Sequence, residues 1–135
     1  MTERKITDRK TIPPQQPQTV KAECFGHAEK VQIVTETMPS EETFAIVAAR
    51  FKLLGEVSRL KILAALKAGE LCVDHIAEAT GAQQSATSHQ LRLLRDNGFV
   101  KARRVGKSVL YRLADRHVAE LMTMGFAHAD CEEDV

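Results

Sequence analysis

Four side chains near the carboxyl terminus are of types that bind transition metals: Asp115, His117, His128 and Cys131. Asp115 and His117 open a run with helical spacing, and His128 and Cys131 close it. His117 and His128 are eleven residues apart, roughly 16 Å along an α-helix at about 1.5 Å per residue. A metal's donors lie roughly 2.0–2.3 Å away, so one helix cannot bring both ends to one ion. Eleven residues nevertheless turn about 20° past three full turns, so His117 and His128 share a face that Cys131 joins at i+3. Two copies of the helix packed antiparallel about a two-fold axis would bring the ends together. Asp115 and His117 of one chain would then lie beside His128 and Cys131 of the other, twice per dimer. One oxygen, two nitrogens and one sulfur suit four-coordinate Zn(II). Asp115 is equally well placed to cap the helix, and Gly125 within it costs about 1 kcal/mol relative to Ala.

A second constellation repeats one spacing. Cys24 and His27, in "CFGH", and Cys72 and His75, in "CVDH", are both C-x-x-H pairs. Together they form a Cys₂His₂ set that suits tetrahedral Zn(II) or a softer ion such as Cd(II). Two other readings use the same residues. Cys72 can pack as a small apolar side chain, and Cys24 with Cys72 can form a reversible disulfide, making a thiol redox switch. A zinc hydrolase is disfavoured, because catalytic zinc keeps an open position beside a poised base and the chain has no H-E-x-x-H.

The elements that must position these groups follow from periodicity. Residues 1–40 are expected to be a flexible N-terminal arm carrying ligands, its first part rich in Pro and Gln. Residues 41–131 form the folded domain and 132–135 an acidic tail. From Glu41, Phe44, Val47, Ala48, Phe51 and Leu54 mark a buried helix. A second helix carries Leu60, Ile62, Leu63 and Leu66, and a short third covers about 73–79. A fourth runs from Gln83 or Gln84 to Asn97, stopped by Gly98 and anchored by Leu91 and Leu94. "FVKARR" and "SVLYRL", joined through Gly106, read as a β-hairpin, and a last helix spans about 116–128.

Charge is distributed unevenly. The 135 residues carry a formal net charge of +1. Yet residues 83–112 hold Arg92, Arg95, Lys101, Arg103, Arg104, Lys107 and Arg112 against the single acid Asp96. That is a local footprint of nucleic-acid contact. A short turn with Gly81 joins the third and fourth helices, as a helix-turn-helix requires. Gln83, Gln84, Ser85, Thr87, Ser88, His89, Gln90 and Arg92 could then meet phosphates or base edges, with Arg103, Arg104 and Lys107 on the hairpin following the backbone. His89 is a DNA or structural contact rather than a metal ligand on this reading. The fold expected is mostly α with a β-hairpin, a dimeric winged helix-turn-helix. There is no apolar run near 18 residues, no signal-peptide pattern, and too few cysteines for a disulfide scaffold, which points to a reduced cytoplasmic setting.

Residues 53–113 resemble the ArsR/SmtB family of metal-responsive bacterial repressors, in its zinc-sensing SmtB-like branch. "ELCV" at 70–73, "SATSHQLRLLRDNGFV" at 85–100 and "RRVGKSVLYRL" at 103–113 carry the resemblance in order and spacing. It implies a homodimer that binds operator DNA, an inverted repeat, when metal-free and releases it when loaded with Zn(II), or with Cd(II), Co(II) or Pb(II). Family sensors with a site on the last helix use Asp-x-His near its start and His-x-x-Glu or His-x-x-His near its end. Here Cys131 takes that last position and Glu132 follows, so either is the fourth ligand. Other members join an arm Cys-x-x-x-His to Cys-x-x-Asp on the third helix. This chain instead has C-x-x-H in the arm and His75 at the Asp-like position, and Asp74 replaces the second Cys of the Cys-Val-Cys found in cadmium and lead sensors.

Overall fold

The computed structural model of the chain describes residues 26–131, which fall into two units, Met1–Ala49 and Arg50–Val135.

In the first unit, helix α1 spans His27–Thr37, so part of the arm expected over 1–40 is helical. Gly26 initiates it in the left-handed region (φ 74°), and Gln32 donates to Glu36 at 2.9 Å one turn on. Ala, Glu, Lys and Gln favour helix by intrinsic propensity. None of the residues of α1 is buried, and its large apolar residues, Val31, Ile33 and Val34, fall within one turn, too short a run to show a helical stripe. Ser40 caps the next helix, accepting from the Thr43 N–H at 3.1 Å.

Helix α2, Glu41–Leu54, begins in this unit and ends in the second. Its spacing predicts a buried stripe, but only Leu54 is buried. Phe44 is 43% exposed, Val47 41% and Phe51 56%. The stripe is present as a pattern, but a single protomer does not cover it.

The second unit continues with α3 Val57–Leu66, strand β1 Leu71–Cys72, α4 Val73–Thr80, α5 Gln84–Asp96, β2 Val100–Val105, β3 Ser108–Leu113 and α6 Arg116–Ala129. Leu63 of α3, Ile76 of α4, and Leu91 and Leu94 of α5 are wholly buried, with Phe99, Val100, Val118 and Met122 packed in the same cluster. Each large side chain so buried contributes about 1.5–3 kcal/mol. Glycines end both helices of the α4–α5 pair: Gly81 has φ 75° and Gly98 φ 81°, a conformation that costs other residues strain. Past them the Ala82 N–H donates to the Ala77 carbonyl at 3.0 Å, and that of Phe99 to Leu94 at 2.9 Å. These bonds satisfy the last helix carbonyls, and the second turns the chain from α5 directly into the hairpin.

The sheet is three-stranded and antiparallel, in the order β1-β3-β2. Val100 pairs with Leu113, Ala102 with Tyr111 and Val105 with Ser108 across the hairpin. Only Gly106 (φ 64°) and Lys107 separate the last pair. β1 adds Leu71 opposite Tyr111 and Cys72 opposite Leu110. At two residues, β1 is too short to show an alternating pattern in the sequence.

Candidate metal and nucleic-acid sites

The four carboxyl-terminal donors stand on α6 as two separate pairs. Asp115 is its N-cap, and its Oδ1 accepts from the Val118 N–H at 3.1 Å. The same oxygen lies 3.6 Å from Nδ1 of His117, whose side chain is 82% exposed. A carboxylate has two oxygens and about four lone-pair directions, so capping through Oδ1 leaves Oδ2 available as a donor. At the far end the Cys131 N–H donates to the His128 carbonyl at 3.1 Å, and both residues are exposed. α6 is continuous through Gly125, and nothing lies within 4 Å of where a Cβ would sit there.

Two faces of α6 have different environments. Val118 and Met122, one turn apart, are buried against the core. Rotated from them by roughly 100° runs a second row: His117, Leu121, Met124, His128, Cys131. Leu121 is 38% exposed and Met124 66%. Ligating side chains therefore stand at both ends of an uncovered apolar strip. Among the described residues no three His, Cys, Asp or Glu side chains of one protomer converge as a metal would require. The donor chemistry fits a four-coordinate ion only if two protomers contribute, as a site shared across a two-fold would.

Of the upstream set, Cys24 lies outside the described residues, as does Glu132, the alternative fourth donor at the other site. His27 is half-buried at the start of α1. Cys72 is the N-cap of α4 and partly buried, and His75 is exposed in the first turn of α4. Neither Cys72 nor Cys131 is in a disulfide.

Helix α5 divides the expected nucleic-acid residues. Ser85, His89 and Arg92 are exposed and Ser88 partly so, forming one face away from the buried Thr87, Leu91 and Leu94, and Gln84 is exposed in the first turn. The first turn of α5 contains no acidic residue, and its N-cap Gln83 makes no side-chain cap. Its leading N–H groups and positive dipole end can therefore meet an anion such as phosphate.

Two of the expected contact residues have partners within the protomer. Thr87 is 1% exposed, and its hydroxyl donates to the Gln83 carbonyl at 2.9 Å; as a short polar residue with an internal acceptor it sits on the core side of the helix. Gln90 is turned toward α3: its Oε1 accepts from Arg59 Nε at 2.7 Å and its Nε2 donates to Ser58 Oγ at 3.2 Å. Arg59 also donates to the Leu53 carbonyl at the end of α2, at 3.0 Å. That linkage was missed by sequence reasoning, because Arg59 and Gln90 are 31 residues apart and no local pattern announces the pair.

On the hairpin, Arg104 and Lys107 are exposed. Arg103 is engaged, its Nε and Nη2 donating to both carboxylate oxygens of Glu70 at 2.8–3.1 Å. The hydrogen bonds and positive charge of Arg103, with Arg112 adding to them, hold the Glu70 carboxyl below the usual range.

A glycine-terminated helix pair, a second helix that presents polar side chains from an anion-ready end, and a cationic hairpin beside it define a winged helix-turn-helix DNA-binding protein. Residues 56–102 match the family described as "Bacterial regulatory protein, arsR family". The chain is 44% identical over 95 residues to a transcriptional repressor SmtB homolog of Synechocystis sp., covering 70% of this chain and 72% of that one. It is 37% identical over 105 residues to a cadmium resistance transcriptional regulatory protein CadC homolog of Staphylococcus aureus, covering 77% and 86%. Among solved structures it is similar to the homodimeric winged helix-turn-helix DNA-binding domain of a possible ArsR-family transcriptional regulator from Mycobacterium bovis. The TM-score is 0.62 at 38% identity, covering 68% of this chain and 88% of that one. This chain belongs to the ArsR family of transcriptional regulators, and the hydrolase reading falls. Among the described residues no helix is long and apolar enough to cross a membrane.

Proposed function

We propose that the protein is a metal-responsive repressor that holds operator DNA as a metal-free homodimer and releases it on binding Zn(II) or a similar divalent ion. The observation that carries this is the exposed row on α6, with donors at both ends and Leu121 and Met124 between them. A second α6 laid antiparallel along that row would cover the apolar middle and join each Asp115–His117 pair to a His128–Cys131 pair of the partner subunit. The relatives named for repression and cadmium resistance, and the homodimeric neighbour, support the same reading. Cys24, His27, Cys72 and His75 are proposed as a second site, and α5 with Arg104 and Lys107 as the DNA surface, set on an inverted repeat by the two-fold.

The coupling needs no contact between ion and DNA. A ligand shifts an equilibrium by its different affinity for two states. Donors contributed by two protomers favour whichever dimer arrangement brings them together, and two recognition helices fit successive major grooves only at one spacing, about 34 Å. The effect is reciprocal and typically about 5–150-fold. Fluorescence anisotropy tests it, using a duplex selected from random sequence for tight binding by the metal-free chain. Stoichiometric Zn(II) is expected to weaken binding at least fivefold, and unchanged affinity with every divalent ion tried would refute the reading.

A further inference from the structure

The hairpin contains five cations, Lys101, Arg103, Arg104, Lys107 and Arg112, and no acid. Its register sets Lys101 directly opposite Arg112 and Arg103 opposite Leu110. In an antiparallel pair, opposed residues share a face and alternate residues return to it, so Lys101, Arg103 and Arg112 lie on one face. Cys72 opposes Leu110 from β1, and Glu70, two residues earlier, belongs to that face too. Its carboxylate is 26% exposed; it grips the Arg103 fork at 2.8 Å and stands 3.9 Å from Arg112 Nε.

A guanidinium fork binds a carboxylate and a phosphate with the same two-pronged geometry. The Arg103 side chain is 59% exposed, within reach of a polyanion lying on the wing. An exposed pair of this kind is screened by water and salt, and it is the bidentate geometry that lets it add to fold stability. The same exposure makes the pair easy to exchange.

We propose that Glu70 is an internal competitor for DNA phosphate, holding the Arg103 fork so that the wing contacts the backbone through Arg104 and Lys107 while Arg103 is withheld. Glu70 thereby sets an upper limit on non-specific affinity, a useful property in a regulator that has to leave DNA. The proposal rests on the DNA-binding reading above, but concerns only how many phosphates each wing engages.

The test uses the full chain and a fluorescein-labelled duplex of arbitrary sequence, with affinity measured across a salt series. Glu70→Gln keeps the shape and removes the charge. Its expected effect is tighter binding at low salt and a slope of log K against log salt steeper by about 0.9 per freed arginine, or about 1.8 per dimer. Adding Arg103→Gln to that variant is expected to restore the parent slope. Arg103→Gln alone, which does not depend on Glu70→Gln folding, is expected to leave the slope unchanged, whereas Arg104→Gln flattens it by about 0.9 per protomer. An unchanged slope in Glu70→Gln, or a flattened one in Arg103→Gln, overturns the proposal. So does weaker binding by Glu70→Gln together with a lowered melting temperature, the mark of a structural counter-ion. Parent chain that binds no duplex at low salt would refute the DNA reading itself and the mask with it.

Discussion

Asp115 caps α6, and the proposed metal site would give the same carboxylate a second purpose that substitution can separate from the first. Its Oδ1 caps α6 through the Val118 N–H, and the metal proposal needs the other oxygen. Asp115→Ala removes both roles and is expected to destabilise the metal-free protein by about 0.5–2 kcal/mol, read from urea denaturation. Asp115→Ser retains a good cap but has no carboxylate, so metal-free stability should be nearly preserved while zinc affinity, from competition with a chelator, falls at least about tenfold. Equal zinc affinity in Asp115→Ser and the parent would remove Asp115 from the ligand set. Titration with Co(II) separates the two candidate sites, since thiolate-to-metal charge transfer reports the number of sulfurs. The carboxyl-terminal set offers one sulfur in Cys131, the upstream set two in Cys24 and Cys72.

At the scale of elements, α5 shows what a helical wheel can and cannot resolve. Leu91 and Leu94 mark the inner face, and the polar residues before them mark the rest, so the recognition helix and its stop at Gly98 are legible from residue type. Thr87 and Gln90 are polar too, but Thr87 satisfies itself on the helix backbone and Gln90 finds Arg59, so neither belongs with Ser85, Ser88 and His89. The Arg59–Gln90 bond ties α5 to α3 beside their shared apolar core. Gln90→Ala is expected to cost about 1 kcal/mol of stability and to weaken binding to all duplexes alike, measured on a panel of single-base operator variants. Gln90→Glu keeps the acceptor for Arg59 and is expected to recover most of the stability. A changed preference at one base pair in Gln90→Ala would instead make Gln90 a base-reading residue.

For the whole molecule, the telling quantity is apolar surface left uncovered. The second unit closes a core of its own around Leu63, Ile76, Leu91 and Leu94, while Phe44, Val47 and Phe51 on α2 and Leu121 and Met124 on α6 remain exposed. Exposed apolar rows on a helix commonly mark an interaction surface. Met124 is near the middle of the α6 row, where an antiparallel two-fold would set it close to its own copy. Met124→Glu is expected to turn a dimer into a monomer by sedimentation velocity, because two carboxylates would be forced together in an apolar contact. The monomer should retain its helical circular dichroism, since this side chain contributes little to the protomer's core. A Met124→Glu dimer that still binds zinc with parent affinity would exclude the antiparallel arrangement.

Much was legible before any coordinates because it is periodic or local. Apolar spacing located α3, α5 and α6, glycines marked the ends of α4 and α5, alternation drew the hairpin, and residue type with helical phase put His117, His128 and Cys131 on one face. Helix α1 escaped, since its large apolar residues fall within one turn and show no repeat, and β1 escaped because two residues cannot show alternation. Only the tertiary structure decided which polar side chains are already taken: Thr87 by its own helix, Gln90 by Arg59, Arg103 by Glu70. Those bonds join residues brought together by the packing of separate elements, and hydrogen-bond partners of that kind leave no periodic trace in the chain.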